Sequence, residues 1–221
     1  MLKVSSFILC VAMAVLCFSG WSADDTSYRD TFNVDEKNLS STGRNTYFIL
    51  EPGFQLVLEG KEKGKTIRLE ITVLDETKKI GNVETRVVQE KETNPDGKVI
   101  ENSRNYFAID TTTHDVYYFG EDVGGAWTAG VDGAKFGLMM PGSAKVGDKY
   151  YQEVSKAAKD RAEHLSVTDE VVTPAGTFKN CLKTVETTPL EPDEKDIKWY
   201  APDVGMVKYG EMVLVKYGKV K

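Results

Sequence analysis

The sequence predicts a mostly-β fold: a single antiparallel curved sheet or half-barrel, or a β-sandwich, of about ten to twelve strands with little helix. Three observations carry this. Ile67, Leu69, Ile71 and Val73 alternate with Arg68, Glu70 and Thr72, the period-two pattern of an antiparallel strand with one wet face. Turn chemistry recurs between apolar runs, at Pro52-Gly53, Asn94-Pro95-Asp96-Gly97 and Pro174-Ala175-Gly176. Helix formers gather only within 152–162 (Glu153, Lys156, Ala157, Ala158, Lys159). The apolar stripe there is weak, so at most a short helix or a loop is expected.

The chain opens with Lys3, then an apolar run over 7–18, then Gly20 and Ser22 before Asp24-Asp25. A positive residue, a short apolar core and small residues before a cut are the pattern of a secretory signal peptide. The run is shorter than the roughly 20 residues of a membrane span. Residues 1–22 are therefore expected to be removed, leaving a mature chain without a transmembrane segment, in the periplasm or outside the cell. Cys17 follows Leu16, where a lipoprotein signal has a small residue, so a lipid-modified N-terminus is not expected. Residues 23–44 are polar and rich in turn formers, and read as a loosely ordered lead-in. Residues 45–221 read as a single β-rich domain, a usual size for one.

Strands are expected over 47–50 and 54–58, around Pro52-Gly53, and over 66–74 by alternation. Residues 83–91 and 98–109 flank the Asn94–Gly97 turn and form a long hairpin, and 116–119 follow. Residues 161–172 and 177–187 form a second long hairpin about Pro174–Gly176. Residues 197–200, 206–209 and 212–217 close the chain, separated by Gly205 and Gly210. Charges alternating along these strands read as solvated faces that also discourage edge pairing. Residues 120–147 stand apart, with eight glycines among Trp127, Phe136, Leu138, Met139 and Met140. This segment is expected to fold over one end of the sheet, as a pocket wall or a plug of the core.

The formal net charge is −6. Such an excess favours solubility and disfavours nucleic acid as a partner. His114 and His164 stand far apart, and Cys181 alone follows the leader, so no metal-ligand spacing exists. No phosphate-cradling or dinucleotide loop is present, and no cofactor is expected. Cys181 on a strand is expected to be a small buried hydrophobe. His164 and Cys181 lie on opposite arms of one hairpin and could meet as base and nucleophile. A satisfied strand histidine is the simpler expectation, and no catalytic residue is assigned. Glu186, Glu191, Asp193, Glu194 and Asp196 cluster around Pro189 and Pro192 and read as a hydrated loop rather than a glycosidase pair.

Two stretches carry a resemblance. The first is Tyr47-Phe48-Ile49-Leu50-Glu51-Pro52-Gly53. The second joins Thr173-Pro174-Ala175-Gly176-Thr177-Phe178, Cys181-Leu182-Lys183-Thr184, Thr188-Pro189-Leu190-Glu191-Pro192 and Tyr200-Ala201-Pro202-Asp203-Val204-Gly205. Together they resemble a family of uncharacterised exported bacterial β-rich proteins. The resemblance implies a bacterial, exported, mostly-β domain and brings no activity. More remotely, the layout is similar to periplasmic half-barrels of the lipoprotein-carrier kind. Asp122-Val123-Gly124-Gly125-Ala126-Trp127 is similar to one Asp-box turn of sialidase-type propellers. It occurs once, and no propeller is inferred.

The leading functional expectation is non-enzymatic binding of an apolar or lipid-like small molecule. Trp127, Phe136, Met139 and Met140 would line the pocket, with Trp199 and Tyr200 contributing. The alternatives are a structural or protein-interaction module of the bacterial envelope, with an envelope protein as partner, and a hydrolase.

Overall fold

The computed structural model describes residues 27–62, 64–122 and 126–220. The leader expected at 1–22 and the centre of the Asp-box-like fragment, 123–125, lie outside them. In chain order the strands are β1 (Leu39–Ser40), β2 (Gly43–Asn45), β3 (Phe48–Leu50), β4 (Phe54–Glu62), β5 (Lys65–Ile80) and β6 (Val83–Thr93). Then follow β7 (Val99–Asp110), β8 (Val116–Glu121), β9 (Trp127–Thr128), β10 (Lys135–Met140), β11 (Lys149–Tyr151) and β12 (Glu153–Val154). The last are β13 (Arg161–Thr173), β14 (Gly176–Thr188), β15 (Glu191–Ala201), β16 (Gly205–Tyr209) and β17 (Met212–Lys219). Among the described residues the one helical turn is a 3-10 turn over Glu36–Asn38, where the Asp35 side chain accepts from the Lys37 N–H. No helix among them is long and apolar enough to cross a membrane.

Thirteen strands form one antiparallel, nearly closed, barrel-shaped sheet in the order β11-β13-β14-β15-β16-β17-β4-β5-β6-β7-β8-β10-β12. Two meanders are joined where β17 pairs with β4, Leu214 facing Leu58. The outermost strands, β11 and β12, are separated in the chain by Gln152 alone, so the sheet's two ends meet at one residue. Closure removes most of the exposed edge that an open sheet would present. Residue 29 covers what remains of β11: the Arg29 N–H donates to Lys149 O at 3.1 Å, and the Tyr151 N–H to Arg29 O at 2.9 Å.

The hairpins sit where the turn residues place them. Asn94 Oδ1 accepts from the Asp96 and Lys98 N–H groups at 3.1 and 2.9 Å, and Gly97 takes the left-handed φ of 76° that the turn requires. Thr173 pairs with Gly176 across Pro174-Ala175. All eleven expected strands are present, with six short ones in addition (β1, β2, β9, β10, β11, β12).

Three local readings are corrected. Residues 120–147 do not form a cover over one end, because β10 lies within the sheet between β8 and β12. Glycine there serves close approach: a Cβ on Gly137 would sit 2.4 Å from the carbonyl oxygens of Gln152 and Tyr151. Residues 191–196 are not a hydrated loop; they belong to β15, with Glu186 directly opposite Asp196. The charged strand faces are not all turned to solvent, as the interior described below requires.

The core has two layers. Leu56, Leu58, Leu69, Val88, Phe107, Leu182, Met206 and Leu214 pack inside the curve of the sheet. The β2–β3 hairpin closes one end, with Phe48 5.2 Å from Phe107 between ring centres. Val87, Tyr106, Ala108, Tyr117, Phe119 and Leu138 form a second cluster from the opposite face of β6–β8 and β10. The N-terminal segment covers it through Phe32, Val34 and Leu39, Phe32 lying edge-on to Tyr117 at 5.9 Å. Both faces of these strands are therefore buried, which explains the unbroken buried run from Asn105 to Asp110.

Candidate functional site

Residues from strands distant in the sheet order converge on the barrel interior. Leu69 of β5, Glu101 of β7, Glu153 of β12, Glu186 of β14 and Lys198 of β15 line one recess of about 210 Å³. Only the concave side of a curved sheet can bring them together. An apolar cavity of about 50 Å³ adjoins it, lined by Phe48, Phe54, Leu56, Val73 and Tyr200 among others. Glu90, Phe107, Met139 and Met206 line both.

The inward faces of four strands share one gradient. On β6 it runs Val88, Glu90, Glu92, and on β7 Phe107, Asn105, Ser103, Glu101. On β14 it runs Leu182, Thr184, Glu186, and on β15 Tyr200, Lys198, Asp196, each residue directly opposite its counterpart. Alternation puts every second side chain on the same face, so each strand carries an apolar residue at the hairpin end and a carboxylate at the other. The interior is apolar at one end and acidic at the other.

Eight carboxylates line the acidic recess: Glu90, Glu92, Glu101, Glu121, Glu153, Asp160, Glu186 and Asp196. Lys198 is the one cationic side chain among the recess-lining residues. Its Nζ lies 2.5 Å from Glu186 Oε2, and the Tyr200 hydroxyl donates to Glu186 Oε1 at 3.3 Å. Burial works against the Lys198 charge, but Glu186, Tyr200, Tyr209 and Asp196 outweigh it and hold the ammonium well above the usual lysine range. Burial pushes Glu90 up, reinforced by Glu186 and opposed by Lys198. Glu153, 2% exposed, is raised well above the ordinary range by burial and then by Asp160, although its Oε1 accepts from the Asp160 N–H at 2.6 Å. Burial and Glu186 raise Asp160 to about 6.

The residues expected to line a pocket do not all meet. Met139 and Tyr200 come together at the apolar cavity. Met140 is buried in the inner core. Trp127 is buried edge-on to Tyr118 at 5.1 Å, and its Nε1 has no hydrogen-bond partner among the described residues. Phe136 stacks on Phe119 at 5.0 Å in the second cluster and lines an outer groove of about 450 Å³ with Phe32. Trp199 lies between Lys183 and Lys208, at 5.0 and 4.7 Å, and its Nε1 donates to Asp169 at 2.9 Å.

The hairpin does not join His164 to Cys181. His164 faces Thr184, whereas Cys181 faces Asp169. His164 Nε2 lies 2.9 Å from the Tyr150 hydroxyl, and burial lowers its pKa despite Asp148 nearby. The Cys181 thiol is buried and pushed up to about 11 by desolvation. The acidic recess itself was missed by reading the sequence. Its only sequence signal is the recurrence of Glu or Asp at the far end of otherwise apolar alternating faces, as in Val88-Glu90-Glu92. No three His, Cys, Asp or Glu side chains among the described residues converge as a metal-binding group.

No protein-family model matches the chain, and no curated protein is significantly similar to it. Two solved structures are similar in fold. One is a protein from Bacteroides fragilis, described as a putative exported protein with a YmcC-like fold, at 17% identity and a TM-score of 0.46. The other is described as a putative lipoprotein from Parabacteroides distasonis, at 18% identity and a TM-score of 0.45. Each match covers 80% of this chain and 100% of the other.

Proposed function

We propose that this is an exported, non-enzymatic binding protein that takes a small molecule with an apolar part into its barrel. The observation that carries the reading is the pair of adjoining interior cavities sharing Glu90, Phe107, Met139 and Met206. Binding sites combine apolar walls with a few placed polar groups, and this interior has both. Its size limits the ligand. The apolar cavity, at about 50 Å³, is well below the roughly 300 Å³ of the smallest ordinary pockets and below the roughly 150 Å³ that takes a benzene ring, so only a short alkyl group fits it and a full lipid does not. Met139 and Tyr200 are the expected contacts at the apolar end. Export rests on the leader expected at residues 1–22.

The test is native mass spectrometry of the mature chain, with and without extraction of small molecules, beside a Val88→Phe variant that fills the apolar cavity. A near-stoichiometric adduct that extraction removes and Val88→Phe lacks supports binding. A clean mass from both proteins favours the second reading, a structural or protein-interaction module of the envelope. The groove between Phe32, Phe119 and Phe136 on the outer face is what supports that alternative.

A further inference from the structure

Resting on that reading, we propose that the ligand is uncharged: a short alkyl chain in the apolar cavity, ending beside Gln152 and Glu90 in a carboxamide or hydroxyl that both donates and accepts hydrogen bonds. The first ground is Gln152, which lines the recess and is 4% exposed. Its backbone is fixed where the two ends of the sheet meet, the Gln152 N–H donating to Asp160 O at 2.8 Å. Its Nε2 reaches only Met139 Sγ, at 3.5 Å, a weak acceptor. Its Oε1 accepts no hydrogen bond among the described residues. Turning the amide over would exchange its two ends and leave the same deficit. A buried amide so poorly partnered is costly. A ligand that accepts from Nε2 and donates to Oε1 would remove that cost.

The second ground is where Gln152 stands. Met139, which its amide touches, lines both cavities, and so does Glu90. No hydrogen bond or ion pair reaches the Glu90 carboxyl among the described residues. Burial disfavours its ionised form, and a neutral carboxyl both donates and accepts. The junction of the two cavities therefore offers two side chains with spare donors and acceptors. Neighbouring polar groups are already engaged. The Tyr118 hydroxyl donates to Asn105 Oδ1 at 2.5 Å, and Asn105 Nδ2 donates to Ser103 Oγ at 3.2 Å. The Tyr200 hydroxyl donates to Glu186, which also holds Lys198. The third ground is charge. Lys198 is the one cationic side chain lining the recess and is taken by Glu186, so an anionic head finds no open counter-charge there. A cationic head at the junction would depend on ionising the buried Glu90. Either ion would also lose its hydration on entering.

The test is an NMR titration of the mature chain, labelled with carbon-13 at its methionine methyls, with butanamide, butanol, butylamine and butyrate near neutral pH. Met139 and Met206 line both cavities, whereas Met140 and Met212 are buried in the core and serve as controls. Butanamide and butanol are expected to move the Met139 and Met206 signals. They should bind at least about tenfold more tightly than butylamine or butyrate, the scale of a hydrogen bond lost at a buried group. Gln152→Leu should weaken butanamide by about tenfold, and Glu90→Gln, which keeps a neutral donor and acceptor, should leave it within about twofold. Butylamine or butyrate binding as tightly as the neutral probes leaves interior binding standing and overturns the uncharged assignment. Loss of butanamide binding in folded Glu90→Gln overturns it as well. Neutral binding that leaves Met139 and Met206 unmoved, or is unchanged in folded Gln152→Leu, places the head elsewhere and overturns it too. Absence of binding by all four overturns both readings. Thermal midpoints show that the variants are folded, with Gln152→Met used if Gln152→Leu is not.

Discussion

Lys198 reaches Glu186 inside the barrel, Nζ to Oε2 at 2.5 Å, from the neighbouring strand. Their side chains are 16% and 10% exposed, so this is a largely desolvated pair. The two strands set it without help from a turn or loop. Thr184 is directly opposite Lys198 and Glu186 opposite Asp196, which makes Lys198 and Glu186 diagonal neighbours on one face, within reach of long side chains.

Removing one partner should cost more than removing both. Lys198→Met leaves Glu186 buried with no cation, and is expected to destabilise by about 3–5 kcal/mol. The double variant Lys198→Met/Glu186→Gln should recover most of that. Urea denaturation of the four proteins of the cycle measures it. A loss in the double variant equal to the sum of the two single losses would show that the pair is not coupled.

Stability should fall as pH rises through the weakly acid range. Glu153 and Asp160 have folded pKa values raised above their unfolded ones, so the folded state binds more protons between the two. Their contribution is then fully present below the unfolded value, about 4, and is lost as pH passes the folded value. Asp160, exposed by area, contributes the smaller part, and Glu153 the larger. Glu153→Gln should therefore raise the thermal midpoint at about pH 8 and leave it unchanged at about pH 4.5. An equal shift at both values would mean packing, not charge, decides.

The seam should be intolerant of a single methyl group. In Gly137→Ala the new Cβ meets two backbone carbonyl oxygens at 2.4 Å, and neither can swing aside as a side-chain end can. A loss of about 1–3 kcal/mol is expected. Amide exchange should quicken across β10, β11 and β12, with β4–β6 unchanged. Uniform quickening would mean that the seam opens only when the whole barrel does.

The Cys181 thiol should be inert in the folded protein. It is fully buried, with its pKa pushed up to about 11 by desolvation and then by Asp169, and the thiolate is the reactive form. A disulfide reagent at neutral pH should modify it only on the unfolding timescale. Reaction at the rate of a free thiol would require an opening near β13 and β14.

What was legible in the sequence was local. The Ile67–Val73 alternation, the Asn94–Gly97 turn and the Pro174–Gly176 hairpin each depend on residues within a few positions of one another. Short strands such as β10 and β12 were illegible because long-range pairing holds them: Phe136 finds Glu153 and Gly137 finds Tyr118. Of the residues expected at a pocket, Met139 and Tyr200 reach it, while Phe136 and Trp199 pack elsewhere. Side-chain type alone cannot tell one buried apolar environment from another.

By itself the sequence determined the strand-rich class, the main hairpins and the two-faced character of each strand, because period two and turn chemistry are properties of neighbouring residues. Only the tertiary structure decided which face looks inward. A polar face reads the same whether it meets bulk water or an enclosed recess. Curling the sheet until β11 and β12 meet at Gln152 turned Glu90, Glu186 and Asp196 from apparent surface charges into the wall of an interior recess.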